Sequence, residues 1–397
     1  MDYQVIISGA GIPGLTLALL LEKAGIRTAV IDPDVPDQKD DFLKDGRTSA
    51  LLETSLSILQ NLIPLETLSD FSEELHEIRI LDRTLDDGKK IAVSFSSSEI
   101  GQTRFGLNVS NRGLRNLLYQ KAREAKNIVL KEDRLEGYTV SDFDVKARAL
   151  SGETLGGKLI IGADGRNSSV RKIAGIISNK KSYKKQALTL VASHSKKHKN
   201  RSIEIHRNAG PLTFVPLPGE RSSIVWVETD DKAEHFAAMR RQYLQNILQD
   251  LSEGVLGDLR IDGPIGHYPL ICLKAASLSA PRTALIAEAA HVIHPLGAQG
   301  LNLSMRDVTA LAGLITRYHL HGLDIGSHQM LKHYQRRRLP DIQSRTIAVD
   351  GMVSMISHTN PLLHTIRRNA LQLMPYIPFA KKMIMKEGMA PSIVGKM

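Results

Sequence analysis

The sequence has a single cysteine, Cys272, in 397 residues, so no disulfide can form within the chain and a reducing compartment is expected. Every uninterrupted apolar run falls short of the roughly 18 residues that a membrane-spanning helix needs. No charged-then-apolar leader precedes the first apolar run, which starts near Val5. The expected location is therefore the cytoplasm.

Aromatic residues make up only 5% of the chain, although its net charge is +10. One basic cluster covers Lys180 to Arg201, and residues 361–397 contain six Lys or Arg and one Glu, a net charge of +5. Few aromatics interleave with the lysines, which argues against a nucleic-acid surface. The basic segments are either ordinary solvated surface or contacts with the inner face of an anionic membrane.

Residues 3–32 have the pattern of a strand, a helix and a second strand. After an apolar strand, residues 9–14 read GAGIPG and match G-x-G-x-x-G, and strong helix formers follow from Leu15 to Ala24. The second strand ends at Asp32, whose carboxylate can accept from a ribose hydroxyl. This arrangement predicts dinucleotide binding, but it does not separate FAD from NAD.

A second informative stretch is KLIIGADGRNSSVRK, residues 158–172. Leu159 to Ile161 are predicted to form a buried strand, and Gly162 to Gly165 a sharp turn. Asp164 lies at the carboxyl end of this strand, where open α/β sheets bind ligands. The alternative for Asp164 is a purely structural role in the turn.

The third stretch is PRTALIAEAAHVIHPLGAQGLNLSMRDV, residues 281–308. Ala284 to Ala287 are predicted to form a short buried strand with Glu288 at its end, and a helix is predicted to begin near Leu301. A carboxylate accepts hydrogen bonds from hydroxyls, and the N–H groups of a first helical turn stabilise negative charge. Alternatively, the stretch is only a strand, a turn and a helix with a charged cap.

The segments between these stretches show other patterns of apolar and turn-forming residues. Arg47 precedes a predicted helix with apolar positions from Leu51 to Leu62. Residues 75–107 and 183–275 show short strands separated by turns, which predicts a second, antiparallel domain.

Together, the three stretches resemble the group A flavoprotein aromatic hydroxylases, which have the para-hydroxybenzoate hydroxylase fold. Within that group, DGRTSAL at residues 45–51, GPLTFVPLP at 210–218 and AAHVIHPLGAQGLNLSMRDV at 289–308 are similar to the ubiquinone-biosynthesis hydroxylases.

The third motif of the group usually has Gly-Asp where this chain has Ala287-Glu288. The added Cβ of Ala287 matters only if its φ is positive.

The resemblance implies an α/β fold with a Rossmann-like FAD-binding domain on a mixed or parallel sheet, an antiparallel-sheet substrate domain and a C-terminal helical segment. The FAD-binding domain is expected at residues 1–74, 108–182 and 281–345. The substrate domain is expected at 75–107 and 183–280, and the helical region at 346–397. Within the substrate domain, residues 214–218, Trp226 and Tyr268 would be candidates to line the substrate site, with core packing as the alternative.

The resemblance also implies which residues bind the cofactor. Glycines would face the FAD pyrophosphate, carboxylates would accept from the ribose and ribityl hydroxyls, and the helix start in the third stretch would stabilise charge at the flavin. The expected cofactor-binding residues are Gly9, Gly11, Gly14, Asp32, Arg47, Asp164, Gly165, Glu288, Gly297, Gly300, Leu301 and Asn302.

The implied reaction is hydride transfer from transiently bound NAD(P)H to FAD, followed by hydroxylation of a polyprenyl phenol in ubiquinone biosynthesis through a flavin hydroperoxide. His291, His294 and Pro295 are the catalytic candidates, with a packing or loop role as the alternative for the histidines. No further ligands at suitable spacing accompany the two histidines, so no metal site is predicted. The implied partners are a small, prenylated aromatic substrate, a quinone-biosynthesis complex and a membrane surface contacted by residues 361–397.

Three other readings stay open. An NAD(P)-dependent dehydrogenase would use the glycine motif but would leave the second and third stretches unexplained. The chain could also be another FAD-dependent oxidoreductase. A non-catalytic flavin-fold scaffold in a quinone-synthesis complex would account for the altered Ala287-Glu288 pair.

Overall fold

We analysed a computed structural model of the chain that describes residues 2–36, 46–84, 91–357, 369 and 372–389. The described residues form strands β1 to β20, which are Val5–Ser8, Thr28–Ile31, Thr48–Leu52, Ser72–Leu75, Glu77–Asp82, Ile91–Ser96, Gly106–Ser110, Ile128–Lys131, Leu135–Val140, Val145–Ala149, Thr154–Gly157, Leu159–Gly162, Ser178–His194, Arg201–His206, Leu212–Leu217, Arg221–Thr229, Leu259–Ala275, Ser279–Ala280, Thr283–Leu285 and His291–Val292.

The same residues form helices α1 to α9, which are Ile12–Lys23, Glu53–Gln60, Asn111–Glu124, Ser169–Ile173, Asp230–Ala238, Arg241–Leu251, Gln299–Leu320, His328–Ser357 and Pro378–Met389. None of the described helices is long and apolar enough to cross a membrane.

A six-stranded sheet with the order β18-β19-β12-β1-β2-β8 forms the centre of the first domain. Strands β1 and β12 are buried along their whole length, as parallel strands covered by helices on both faces are. The parallel register pairs Ser8 with Gly162 and Gly162 with Leu285. This register brings the carboxyl ends of β1, β12 and β19 to one edge of the sheet, so all three informative sequence stretches meet there.

An eight-stranded sheet with the order β20-β17-β13-β16-β15-β14-β5-β6 forms the second domain. Because side chains alternate along a strand, the sheet has two distinct faces. One face carries Phe214 and Trp226 and is covered by α5 and α6, with the Trp226 and Phe236 rings 4.9 Å apart. Phe214 and Trp226 are therefore core residues, and the expectation that they line the substrate site is wrong.

Tertiary pairing changes several of the expected elements. Leu51 and Leu52 belong to strand β3, which pairs with β7, and helix α2 begins only at Glu53. The expected strand at residues 284–287 ends at Leu285. Residues 230–251 form two helices, α5 and α6, because Met239 and Arg240 between them have extended backbone. The spacing of apolar residues alone does not distinguish strand from helix in these segments, because the contacts with distant segments determine which element forms.

A buried carboxylate, Asp307 on α7, ties three elements together. It accepts hydrogen bonds from the backbone N–H of Ala287 at 3.1 Å, from His291 Nε2 at 2.6 Å and from Arg338 Nε on α8 at 2.7 Å. Burial by itself raises the pKa of Asp307, but the charges and hydrogen bonds of His291 and Arg338 outweigh burial and hold the pKa below its usual value. The stabilisation is thus complete above about pH 4, the range of an unfolded Asp, and is lost as the pH falls through the lowered pKa.

We predict that Asp307→Ala lowers the free energy of unfolding by about 3–5 kcal/mol, because it leaves the Arg338 charge buried without this partner. Urea denaturation at neutral pH measures the change. Asp70→Ala, which removes an exposed carboxylate, should stay within about 0.5 kcal/mol of the wild type. Equal losses in the two variants would contradict the prediction.

Candidate active site

The three strand ends border a cleft of about 510 Å³ in the first domain. Residues from all three informative stretches line it, and so do residues from β3 and α3. They include Gly11, Ile12, Pro13, Asp34, Arg47, Ser49, Asn111, Arg112, Arg115, Ala163, Gly165, Ala287, Glu288, Gly300, Leu301 and Ser304. Segments far apart in the chain therefore build one site.

Closely packed backbone at the glycine motif, residues 9–14, forms one wall of the cleft, called the first wall below. Gly9 has a φ of +111°, and a Cβ there would lie 2.3 Å from the carbonyl oxygen of Ala163. A Cβ on Gly14 would lie 2.1 Å from the carbonyl oxygen of Gly9. Gly11 differs, because a Cβ there would meet only Pro13 Cδ at 3.8 Å and the position borders the cleft. Gly9 and Gly14 are thus required by the packing of the protein itself, whereas Gly11 leaves open space for a ligand.

Two helix N-termini open at the cleft without a side-chain cap. Gly11 is the N-cap of α1 and Ala298 is the N-cap of α7, and neither first turn contains an acidic residue. The first N–H groups of a helix lack intrahelical partners, and the helix dipole adds positive potential there. Both helices therefore offer donors to a negatively charged group.

Asp32 lies beside the first wall and is partly engaged by the protein. Its Oδ2 accepts from Ala10 N at 2.6 Å, and its Oδ1 accepts from Asp34 N at 2.8 Å. Arg115 on α3 donates to the carbonyl oxygen of Ala10 at 2.9 Å and to Asp34 Oδ2 at 2.6 Å. The carboxylate thus helps to shape the turn at which a ribose is expected.

Asp164 caps the short helix α4. Its Oδ2 accepts from the backbone N–H groups of Ser169 at 2.7 Å and Val170 at 3.1 Å. Its Oδ1 is buried and has no hydrogen-bond partner among the described residues. The structural role considered for Asp164 is therefore present, and one acceptor atom is left for a ligand. Its neighbour Gly165, with a φ of +78°, has nothing within 4 Å of where a Cβ would stand.

The altered third motif contains a left-handed alanine. Ala287 has a φ of +55°, so the condition under which its Cβ matters is met. The 3₁₀ turn at Ala287–Ala289 carries Glu288, which is half exposed at the cleft and lies 3.5 Å from Arg166 Nε. The hydrogen bond from Ala287 N to Asp307 holds this backbone in place. Glu288 therefore keeps a carboxylate at the cleft, although the left-handed backbone of Ala287 is strained.

The loop before α7 also uses left-handed backbone, at Gly297 with a φ of +72° and at Ala298 with a φ of +51°. Gly300 and Leu301 in the first turn of α7 line the cleft. Asn302 faces the protein instead, and its side chain accepts from Leu52 N at 3.0 Å and donates to Ala50 O at 2.8 Å. Asn302 therefore fixes the helix against β3.

The three catalytic candidates have different surroundings. His291 is buried and its ring is held by Asp307. His294 Nδ1 accepts from Leu296 N at 3.2 Å, which leaves the proton on Nε2, and its ring meets Tyr183 edge-on at 5.0 Å. Burial and the charge of Lys185 lower the pKa of His294 to about 4, so it is neutral at pH 7. Pro295 is exposed at the start of the 3₁₀ turn.

Arg47 connects the cleft to the second domain. It lines the cleft, and its guanidinium stands 5.0 Å from the centre of the Tyr268 ring in β17. Thr48 Oγ1 lies 2.7 Å from Ser223 Oγ on β16. Tyr268 and Ser223 share the face of the eight-stranded sheet that α5 and α6 do not cover. That face is therefore turned toward the cleft.

Sequence reasoning missed two cationic residues of the cleft, Arg112 and Arg115. They are three residues apart in the first turns of α3, directly after β7, and this spacing puts them on one helix face. Two basic residues at the start of a helix that follows a strand were the sequence feature that could have indicated them. Asp307 was also missed, although a carboxylate on the apolar face of a predicted helix is itself unusual.

Residues 2–347 match a protein family described as the FAD binding domain. The chain belongs to this family. It is 30% identical over 393 residues to ubiquinone hydroxylase UbiL of Rhodospirillum rubrum, with 99% of this chain and 90% of UbiL covered. It is 28% identical over 379 residues to the 3-demethoxyubiquinol 3-hydroxylase of Escherichia coli, with 93% of each covered.

Solved structures show the same fold at low sequence identity. Pseudomonas aeruginosa PqsL in complex with 2-aminobenzoylacetate has a TM-score of 0.76 at 22% identity, covering 89% of this chain and 96% of PqsL. The p-nitrophenol 4-monooxygenase PnpA of Pseudomonas putida has a TM-score of 0.78 at 17% identity, covering 97% and 96%. The predicted fold class, FAD as the cofactor and the enzyme class of FAD-dependent monooxygenase are confirmed.

The geometry of the cleft fits the cofactor of the family. The uncapped N-terminus of α1 and the guanidinium groups of Arg112 and Arg115 suit a pyrophosphate, and the uncapped N-terminus of α7 suits negative charge on a ring system. The buried, unpaired Oδ1 of Asp164 suits a hydroxyl donor. The open space at Gly11 and Gly165 suits close approach of a ligand to the backbone.

We predict that Gly11→Ala folds normally but binds FAD at least about tenfold more weakly, because its methyl group would occupy cleft space and not protein space. Flavin absorbance of the purified protein and an FAD titration measure the effect. Gly313→Ala on α7, which also has nothing within 4 Å of its Cβ position, is the control and should bind FAD normally. Unchanged FAD affinity in Gly11→Ala would contradict the prediction.

We also predict that Ala287→Gly raises the free energy of unfolding by about 1 kcal/mol, because glycine adopts a positive φ without the Cβ clash. Ala290→Gly is the matched control. Ala290 has a φ of −94°, so that change should destabilise by about 0.5–1 kcal/mol. Thermal unfolding of the two variants measures both changes. A loss of stability in Ala287→Gly would show that the strain is absent.

Proposed function

We propose that this flavoprotein hydroxylates the ring of a prenylated phenol in quinone biosynthesis, with NAD(P)H and O₂ as co-substrates. The observation that carries the proposal is Arg47, which lines the cofactor cleft and lies against Tyr268 on the face of the eight-stranded sheet that α5 and α6 do not cover. The relatives named as ubiquinone hydroxylases support the substrate class.

The residues of the cleft would divide the binding of FAD between them. The N-terminus of α1 at Gly11, with Arg112 and Arg115 nearby, would hold the pyrophosphate, and Asp32 the adenosine ribose. Asp164 and Glu288 would accept from ribityl hydroxyls. The N-terminus of α7, at Gly300 and Leu301, would stabilise negative charge on the ring system. When bound, FAD supplies the redox chemistry of hydride acceptance and oxygen activation.

The remaining tasks of the chain are to orient the phenol and to exclude water. The face turned toward the cleft carries partly exposed apolar side chains, among them Ile80 and Val225, which suit a prenyl chain. His294 is neutral, so it cannot act as a general acid near pH 7, but its Nε2–H can donate a hydrogen bond. Only one dinucleotide motif exists in the sequence, so NAD(P)H would bind transiently.

The C-terminal segment supports a membrane contact. Met385 on α9 packs with Leu75 and Phe105, and Lys381 Nζ lies 2.7 Å from Glu99 Oε2, so the helix is anchored to the second domain. An exposed apolar surface with lysines beside it remains, and it comprises Leu373, Tyr376, Ile377, Phe379, Lys382, Met383 and Lys386. Apolar and cationic side chains together are typical of a surface that rests on an anionic bilayer. Such a contact would bring the cleft to a lipid-borne substrate.

The proposed reaction predicts that NAD(P)H oxidation by the FAD-loaded protein is stimulated at least about tenfold by a prenylated phenol, with a product one oxygen atom heavier. Absorbance of NAD(P)H and mass spectrometry of the extracted product measure the two effects. Omitting O₂ is the control and should abolish the product. A colourless, inert protein would instead favour the scaffold reading.

The proposed membrane contact predicts that the double substitution Tyr376→Ser, Phe379→Ser weakens binding to vesicles of anionic lipid at least about tenfold, because both rings lose apolar burial. Flotation of the vesicles measures binding. Phe143→Ser is the matched control, since Phe143 is 76% exposed and Phe379 is 80% exposed. If the wild-type protein does not float, the membrane contact is wrong and the surface is left for a protein partner of a quinone-biosynthesis complex.

A further inference from the structure

The face of the eight-stranded sheet that is turned toward the cleft carries a hydrogen-bonded ionisable pair on β14. Glu204 and His206 on β14 are two residues apart and therefore lie on the same face, with Glu204 Oε1 and His206 Nε2 separated by 2.8 Å. The side chain of Glu204 is 15% exposed and that of His206 is 7% exposed. Burying polar atoms is unfavourable unless other interactions compensate, so two polar side chains with so little exposure suggest a specific role.

The register of the sheet establishes which face carries the pair. Glu204 pairs with Thr213, which pairs with Val225, which in turn pairs with Thr189. Directly paired residues in a sheet share a face, so Glu204 lies on the face of Val225 and Thr189. That face includes Tyr268, two residues along β17 from the partner of Thr189, and Tyr268 lies under Arg47. The pair thus faces the side of the cofactor cleft.

The neighbours of the pair on this face include Asp82, which is in register with His206 and whose Oδ1 accepts from Thr84, together with several apolar side chains. Strands β5 and β6 contribute Ile78, Ile80, Val93 and Phe95 beside β14, and β15 contributes Val215. Glu204 is also close enough to the loop after β20 for its charge to act on His294. Glu204 therefore lies between an apolar wall and the loop that borders the cofactor cleft.

Two acceptor atoms of the pair have no protein partner. His206 Nε2 donates to the carboxylate, and its Nδ1 is buried without a hydrogen bond among the described residues. Glu204 Oε2 makes no hydrogen bond within the described part of the chain, and it belongs to a side chain that is 15% exposed. A ligand hydroxyl would give Oε2 a donor.

We propose that Glu204, positioned by His206, accepts the hydrogen bond of the ring hydroxyl of the substrate and so selects free phenols over their ethers. This assignment rests on the proposed function of a phenol hydroxylase. Asp82 on this face is engaged by Thr84, so Glu204 Oε2 is the carboxylate oxygen offered to that hydroxyl, and the hydrogen bond with His206 fixes its direction. A hydrogen bond to a carboxylate also increases electron density in the ring, which favours attack by an electrophilic oxygen.

The test compares 2-geranylphenol with its methyl ether, 2-geranylanisole, which differs in lacking the O–H donor. Binding to the FAD-loaded protein is followed by the change in flavin absorbance, so that it does not depend on turnover. The wild type should bind the phenol at least about tenfold more tightly than the ether, as expected for a hydrogen bond to a charged group. Glu204→Leu should bind the two compounds within about threefold of each other.

Three further variants keep the assignment falsifiable. Glu204→Asp retains a carboxylate and should recover part of the preference. The double variant Glu204→Leu, His206→Phe removes both polar groups, leaves no orphaned partner, and replaces the single variant if that one fails to fold. Glu234→Leu removes an exposed carboxylate on α5, at the opposite face, and should keep the wild-type preference.

The outcomes separate this assignment from the proposed function. A preference for the phenol that survives in Glu204→Leu, or in the double variant, overturns the role of Glu204 while leaving phenol hydroxylation intact. A wild type that binds both compounds equally overturns it as well. A wild type that binds neither compound overturns the proposed function and the role of Glu204 together.

Discussion

The parallel register of β1, β12 and β19 is the constraint on which the rest of the site depends. Pairing Ser8 with Gly162 and Gly162 with Leu285 aligns three strand ends that lie about 120 to 280 residues apart in the chain. A shift of one residue would turn every side chain of a strand to the other face and would move its terminal loop away from the others. The near-contact of Gly9 and Gly14 with neighbouring backbone locks this alignment, since no side chain fits at either position.

Asp307 gives the third stretch its shape from inside the protein. One buried carboxylate receives the N–H of a left-handed alanine, a histidine ring and an arginine from the next helix. Each partner would be costly to bury alone, and together they neutralise and satisfy one another. The strained backbone at Ala287 is therefore supported by a network that reaches α8. Strain of this kind persists only where the surroundings over-determine it.

The two faces of the eight-stranded sheet serve different purposes. The face with Phe214 and Trp226 is closed by α5 and α6 and supplies core stability. The opposite face carries mostly smaller apolar side chains and the Glu204–His206 pair, and it is turned toward the cofactor cleft. Alternation along each strand separates these roles within the same few residues, so Trp226 packs under α5 and α6 while its neighbour Val225 faces the other side of the sheet.

The sequence by itself determined the type of site, because glycine spacing, an acidic residue after a strand and a helix start are local features that the backbone enforces. The GAGIPG turn and the placement of Asp32, Asp164 and Glu288 at loop positions could be predicted in this way. Only the tertiary structure decided which face each strand residue takes, that Leu51 and Leu52 are strand and not helix, and that Asn302 faces the protein. It also revealed Arg112, Arg115 and Asp307 as parts of one arrangement. Those outcomes depend on pairings between segments distant in the chain, and local periodicity carries no information about the partner that a residue will meet.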